Sequence, residues 1–221
     1  MTASPASPDA LLAATRASYD AIAPAYTETY PDILGDRPLE RALLAAFAEL
    51  VTGNGPEPVA DVGSGPGHVT ARLHALGVPV FGVDLSPRMV ALARAAHPEL
   101  RFHVGSMTAL DLPDATLGGL LALYSVIHVP DERLPAVFAE FRRVLVPGGY
   151  VLLAFQVGDG ERLRMTERFG QEITLDYYWR RPEAVAAALT EAGLPPQTRM
   201  VREPLDEEKR PRAFLLARKP G

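Results

Sequence analysis

Three ionisable side chains stand where short apolar runs end, and each has chemistry open to it. Asp61 leads a glycine cluster, Asp61-Val62-Gly63-Ser64-Gly65-Pro66-Gly67, between the apolar run Val59 to Val62 and a helical pattern. Glycines at a strand-to-helix turn let backbone come close to a ligand, and the free N–H groups of the helix start attract a carboxylate or phosphate. The plain alternative is a tight turn that binds nothing. Asp84 ends the next apolar run. A carboxylate there can accept both hydroxyls of a ribose, or it is a solvated strand end beside the helix that Ser86-Pro87 opens. His128 follows a third run, in Ser125-Val126-Ile127-His128-Val129-Pro130. An unperturbed imidazole, with pKa near ~6.5, is largely neutral at pH 7 and can take a proton. It can equally be a structural residue fixing the loop ahead of the helix at Pro135.

Several ligand classes are excluded by the same residues. A nicotinamide dinucleotide fingerprint needs glycine at the sixth place counted from Gly63, where His68 stands. No Gly-Lys-Ser/Thr occurs, so there is no P-loop. His68, His74, His97 and His103 show no metal-ligand spacing. The chain has no cysteine, which removes disulfides, thiolate metal sites and cysteine nucleophiles and fits a reducing cytoplasm. A net charge of −5 argues against nucleic acid as a partner. No apolar run is long enough for a membrane span, and Met1 to Pro8 has neither the basic start nor the apolar stretch of a signal peptide.

The elements that must hold these residues alternate. Ser7-Pro8 reads as the cap and first turn of a helix carrying Leu12, Tyr19, Ile22 and Tyr26, which Pro24 ends or kinks. Pro38 opens a second, with Leu39, Ala42, Leu43, Ala46, Phe47 and Leu50 on one face. Strands are expected at Val59 to Val62, Val80 to Val83, Phe102 to Val104, Leu120 to Tyr124 and Tyr150 to Phe155. Helices fall between them at Gly67 to Leu76, Ser86 to Ala96 and Pro135 to Leu145, and Pro147-Gly148-Gly149 turns into the fifth strand. Strands apolar on both faces and separated by helices make a parallel sheet covered on both sides. After a helix from Pro182 to Ala192, strands near Thr198 to Arg202 and Phe214 to Ala217 have only a short polar link, so they pair antiparallel. The fold class is therefore α/β: a three-layer α/β/α sandwich on a seven-stranded, mostly parallel, Rossmann-like sheet with an antiparallel C-terminal strand.

Five stretches in order, VADVGSGPGHVT (59–70), VFGVDLSPRMVALAR (80–94), RFHVGSMTALDLP (101–113), LLALYSVIHVPD (120–131) and FRRVLVPGGYVLLAF (141–155), resemble the class I S-adenosylmethionine-dependent methyltransferases, in particular the small free-standing enzymes. The resemblance implies S-adenosylmethionine as cofactor, S-adenosylhomocysteine as product, and methyl transfer to a small molecule, with oxygen as the expected acceptor because His128 is available. A small-amine acceptor, or a protein that binds the cofactor without transferring methyl, are the other readings. By the resemblance, Gly63, Gly65 and Gly67 lie under the methionine part with Asp61 near its amino group. Asp84 takes the ribose; Leu85 and Met89 flank the adenine. Ser106 and Met107 close over it, Ser106 standing where relatives often have Asp. Tyr124 and Ser125 sit beside the sulfonium.

The likeness also implies one domain over 1–221 with an N-terminal helical lid over about 8–37. There Tyr19, in Ser18-Tyr19-Asp20, is a candidate catalytic residue with His128, and Tyr26 and Tyr30 are candidates for the substrate pocket. The segment 156–181 is too long for a simple connection and reads as a substrate cap. In it Ile173, Leu175, Tyr177 and Trp179 alternate with polar residues as one extra strand. Trp179 and either Tyr177 or Tyr178 are expected on the pocket. Arg162, Arg164, Arg168, Arg180 and Arg181 are balanced there by Asp159, Glu161, Glu167, Glu172 and Asp176, so they read as a solvated mixed face. No metal is expected, and the assembly is a monomer or homodimer.

Overall fold

The computed structural model describes residues 8–32, 34–206 and 208–221; the expected cap at Ser7 lies outside them. Two helices, α1 (Pro8–Thr29) and α2 (Pro38–Asn54), precede the alternating part. This runs β1 (Val59–Val62), α3 (His68–Ala75), β2 (Val80–Asp84), α4 (Pro87–Ala96), β3 (Arg101–Val104), β4 (Leu117–Leu123), α5 (Leu134–Val144) and β5 (Leu145–Gln156). A short 3₁₀ turn, Val126–His128, follows β4. Then come β6 (Glu161–Arg168), β7 (Gln171–Trp179), α6 (Pro182–Glu191), β8 (Pro196–Arg202) and β9 (Arg212–Arg218).

The main sheet has the order β3-β2-β1-β4-β5-β9-β8. β1 to β5 are parallel, and β9 pairs antiparallel with both β5 and β8. Alternate strand residues feed two cores. Val59, Leu121, Leu152 and Leu216 pack with Leu44, Phe47 and Val51 of α2 and Leu73 of α3. Ala60, Val62, Leu120, Val151, Leu153 and Leu215 pack with Val137, Phe138 and Phe141 of α5 and Leu189 of α6. Residues on both faces of the strands are thus buried between helical layers, which is why the strands read as unbroken apolar runs. The chain steps outward from β1 to β3 and returns to β4 on β1's other side, so the carboxyl ends of β1 and β4 flank an open crevice.

Three expectations change. Pro24 does not end α1, which continues to Thr29. Ile22 and Ala23 are fully buried beside it, and that packing holds the helix across the missing hydrogen bond. The expected turn Pro147-Gly148-Gly149 lies within β5, as a register shift against β4. The 156–181 segment holds a hairpin, β6 with β7, forming its own two-stranded sheet. β6 is mostly exposed and charged, so it lacks the apolar alternation that marks β7. No helix among the described residues is long and apolar enough to cross a membrane.

Candidate active site

A cavity of about 180 Å³ opens at the crevice between β1 and β4. Its lining includes Asp61, Gly63, Gly65, Asp84, Leu85, Met89, Ser106, Met107, Tyr124 and Ser125. The glycine loop is shaped by two different constraints. Gly63 (φ +81°) has no room: a Cβ there would lie 2.2 Å from the Ser125 Cβ. Gly65 (φ +54°) has no protein atom within 4 Å of a Cβ position, so its missing side chain leaves free space at the cavity. Gly67 (φ +90°) caps α3 and does not line the cavity; a Cβ there would strike Phe102 at 2.8 Å. Its place in the sequence pattern reflects helix packing.

Two carboxylates face this space. Asp84 accepts from the Gly65 N–H and the Ser86 N–H, both at 2.8 Å, which ties the glycine loop to the end of β2. Burial nonetheless raises its pKa. Asp61 is 2 % exposed and accepts from the Thr70 hydroxyl at 2.7 Å. No cation pairs with it among the described residues, and burial pushes its pKa up to about 6. A buried carboxylate in that state favours a ligand that brings a positive charge or donor groups. Ser106 shares a hydrogen bond with the Thr108 hydroxyl at 2.8 Å, and Ser125 donates to the Val62 carbonyl at 2.8 Å.

α1 joins three elements through three consecutive residues. Ser18 exchanges hydrogen bonds with the Thr174 backbone on β7. Asp20 accepts from the Ser86 hydroxyl at 2.5 Å and the Arg88 N–H at 3.1 Å, at the start of α4. Between them, Tyr19 reaches His128: its hydroxyl lies 2.7 Å from Nε2, while Nδ1 lies 2.7 Å from the Asp176 carbonyl oxygen. A carbonyl only accepts, so Nδ1 carries the proton and Nε2 accepts from the phenol. Burial drives the His128 pKa down to about 4, with nearby Arg168 adding to the fall, and drives that of Tyr19 well above the usual phenol value. The pair is neutral at pH 7. Tyr124 sits just beyond β4 at φ +54°, a conformation that costs a non-glycine residue about 1–3 kcal/mol. Burial pushes its phenol up to about 12.

A second cavity, of about 420 Å³, adjoins the first and shares Tyr19, Tyr26, Leu123 and Tyr124 as lining. Tyr30 lines only this one, as do Tyr177, Gln156 and Arg168. Tyr178 and Trp179 line neither. Tyr178 lies beside Arg162 and Arg180, and Trp179 is covered by the Arg210 guanidinium 3.7 Å from its ring centre. Strand parity explains the difference for Tyr178: Ile173, Leu175 and Tyr177 occupy β7's buried face, and Tyr178 the other. Sequence reasoning passed over Asp20, Asp176, Gln156 and the separate standing of Arg168. The Ser86 cap gave some signal for Asp20; the others depend on long-range pairing. Among the described residues no group of three or more His, Cys, Asp or Glu is arranged to hold a metal.

Residues 59–149 match a family described as a methyltransferase domain. Demethylmenaquinone methyltransferase of Chlorobaculum parvum is 35 % identical over 100 residues, covering 45 % of this chain and 41 % of that protein. N-demethylindolmycin N-methyltransferase of Streptomyces griseus is 28 % identical over 207 residues, covering 78 % and 84 %. The fold superposes on Burkholderia thailandensis 1,6-didemethyltoxoflavin-N1-methyltransferase, solved with bound 1,6-didemethyltoxoflavin and S-adenosylhomocysteine. The TM-score is 0.75 at 23 % identity, over 100 % of this chain and 94 % of that one. The chain spans less than half the length of the first of these relatives.

Proposed function

We propose that this chain is a class I S-adenosylmethionine-dependent methyltransferase that transfers a methyl group from S-adenosylmethionine to an oxygen of a small molecule. One observation carries the reading: the cavity holding the glycine loop, Asp61, Asp84 and His128 shares Tyr19, Tyr26, Leu123 and Tyr124 as walls with a second cavity. A protein that only bound the cofactor would have no use for that adjoining space.

The residues present fit the cofactor. Asp61, buried without a cation, suits an ammonium group. Asp84 spends one lone pair of each oxygen on backbone N–H groups and has others left for ribose hydroxyls. The open space at Gly65 admits the chain of the ligand, and Leu85, Met89 and Met107 offer apolar surface to an adenine, with Ser106 beside them. When bound, S-adenosylmethionine supplies a methyl carbon on a positive sulfur, which needs no acid to leave. The protein's work is then to align the acceptor, exclude water and receive a proton. Tyr124 and Ser125, at the end of β4, wall the junction. His128, held in one tautomer by the Asp176 carbonyl, presents Nε2 to Tyr19 and so to an acceptor hydroxyl that displaces or extends that hydrogen bond. A weak base suffices, because the hydroxyl proton grows more acidic as its oxygen donates a lone pair. α1 covers the first cavity with Leu11, Leu12 and Thr15, and β7 closes the second with Tyr177; we assign these the roles of lid and cap.

The test has two parts. Calorimetry with S-adenosylhomocysteine should show binding that Asp84→Ala weakens by about 1–3 kcal/mol, through loss of charge-assisted hydrogen bonds. Incubation with methyl-labelled S-adenosylmethionine and a small-molecule panel should then give an O-methylated product. Absence of S-adenosylhomocysteine binding would refute the reading; an N-methylated product alone would refute the acceptor assignment.

A further inference from the structure

The five arginines of the 156–181 segment look alike in sequence, but the fold separates one from the rest. Arg162 and Arg164 both pair with Asp176, at 2.6 and 2.9 Å; Arg180 pairs with Asp131 at 2.5 Å and Arg181 with Asp159 at 2.9 Å. Arg168 pairs with no carboxylate among the described residues. Its guanidinium donates to the Tyr177 hydroxyl at 2.8 Å and the Tyr30 hydroxyl at 3.1 Å, and lies 5.0–5.9 Å from the ring centres of Tyr26, Tyr30 and Phe169.

A break in strand pairing puts it there. Arg162 stands opposite Tyr178 and Arg164 opposite Asp176, on the outer face of the hairpin. Between Met165 and Glu167 the register shifts by one residue, so that Arg168 pairs with Gln171. Gln171 shares the parity of Ile173, Leu175 and Tyr177 along β7, so this pairing sets Arg168 on their face of the hairpin, where its guanidinium meets the Tyr177 hydroxyl. The second cavity's other arginines are all neutralised: Arg37 by Asp206 and Glu208, Arg202 by Glu40 and Glu208, and Arg212 by Glu208. Arg168 alone of the four forms no ion pair, and it stands in an aromatic wall beside Tyr26, while the carboxylates of Asp32 and Asp36 line the cavity elsewhere.

We propose that Arg168 is a specificity-determining residue that holds an anionic group, a carboxylate or phosphoryl, of an aromatic or otherwise flat acceptor lying in the second cavity. A guanidinium matches such a group bidentately and is more weakly hydrated than an ammonium, so it can wait partly buried among rings. Two of its N–H groups already fix its plane on tyrosine hydroxyls, which leaves others free for the anion. The anion sits on Arg168 while the reacting oxygen lies toward Tyr19, so the handle and the nucleophile are different atoms. This inference rests on the methyl-transfer reading of the same site and adds the acceptor's class.

The experiment uses the full chain saturated with S-adenosylhomocysteine. Its probes are phenylacetate and indole-3-acetate, phenyl phosphate, and the neutral amides phenylacetamide and indole-3-acetamide, with binding read by calorimetry. At least one anion should bind tenfold or more tighter than its neutral counterpart, and comparison of carboxylates with phenyl phosphate distinguishes the two sources of charge. Arg168→Gln should abolish that preference and Arg168→Lys should restore part of it, while both keep S-adenosylhomocysteine affinity within about twofold. Equal or absent binding of acids and amides to the wild type overturns the proposal. So does loss of S-adenosylhomocysteine binding in both variants, which would assign Arg168 to the cofactor's own carboxylate. If the wild type fails to bind S-adenosylhomocysteine, it is the methyl-transfer reading that falls.

Discussion

Asp61 offers the sharpest check on the cofactor site, because its proton and the ligand's positive charge compete for the same oxygens. In the free protein its pKa is about 6, raised by burial. A bound ammonium favours the ionised form, so the pKa falls on binding and affinity must rise with pH through that range. With a complex pKa below about 5, affinity changes by the ratio of ionised fractions. From pH 7 to pH 5 that fraction drops roughly tenfold, equivalent to about 1.4 kcal/mol. The ligand's amino group stays protonated across the window, and His128, at about 4, titrates beneath it. Calorimetry with S-adenosylhomocysteine at half-unit steps from pH 5 to 8 should therefore show a plateau above pH 7 and a decade of weakening by pH 5. Asp61→Asn should bind more weakly at pH 7 and lose that step. A flat wild-type profile, or an identical step in the variant, would refute the pairing of Asp61 with the ligand's charge.

The same carboxylate should cost the free fold something. Its folded pKa lies above the ordinary 3.8, so the penalty is absent below that pH, grows as pH rises from about 4 to 6, and levels off above 6 at about 3 kcal/mol. Asp61→Asn should thus melt higher than wild type at pH 7 without ligand, with the gap closing toward pH 4; equal melting temperatures at pH 7 would contradict the burial argument. Gly63→Ala and Gly65→Ala should separate packing from ligand space. The first meets Ser125 and should lose about 2 kcal/mol or more of stability. The second meets no protein atom, so it should cost only the roughly 1–2 kcal/mol of an alanine at positive φ, less than the first, which adds a clash to its own positive φ, while weakening S-adenosylhomocysteine about tenfold or more; the reverse order in melting and calorimetry would sink the distinction. Tyr19→Phe keeps the ring against Tyr26 and His128 but removes the hydroxyl at Nε2. With an acceptor from the labelled screen, kcat should fall on the order of 10²-fold at nearly constant S-adenosylhomocysteine affinity, and an unchanged kcat would place the proton path elsewhere.

What the sequence discloses and what it hides follow from the range of the interactions. β1 matches its expected span residue for residue, and β2 and α4 to within a residue, because each is bounded by local chemistry: an apolar run, a proline, a capping serine. The crevice is legible for the same reason, since a parallel sheet that reverses its order must open between the two strands involved. The acceptor side is not legible in that way. It is walled by residues from α1, α2, β6, β7 and β9, brought together only by tertiary packing. The charge balance of the 156–181 segment read as a solvated mixed face; Arg162, Arg164 and Arg181 do pair with carboxylates of that segment, but Arg180 is buried and pairs with Asp131 outside it. Composition cannot count faces. An extra residue on β7, where Leu175 to Glu172 takes three steps against two from Met165 to Glu167, pairs Arg168 with a residue of the buried-face parity, and no pattern in ERLRMTER announces it. Arg168 therefore differs from its neighbours by geometry alone, and that difference puts a cation without an ion-pair partner on the second cavity.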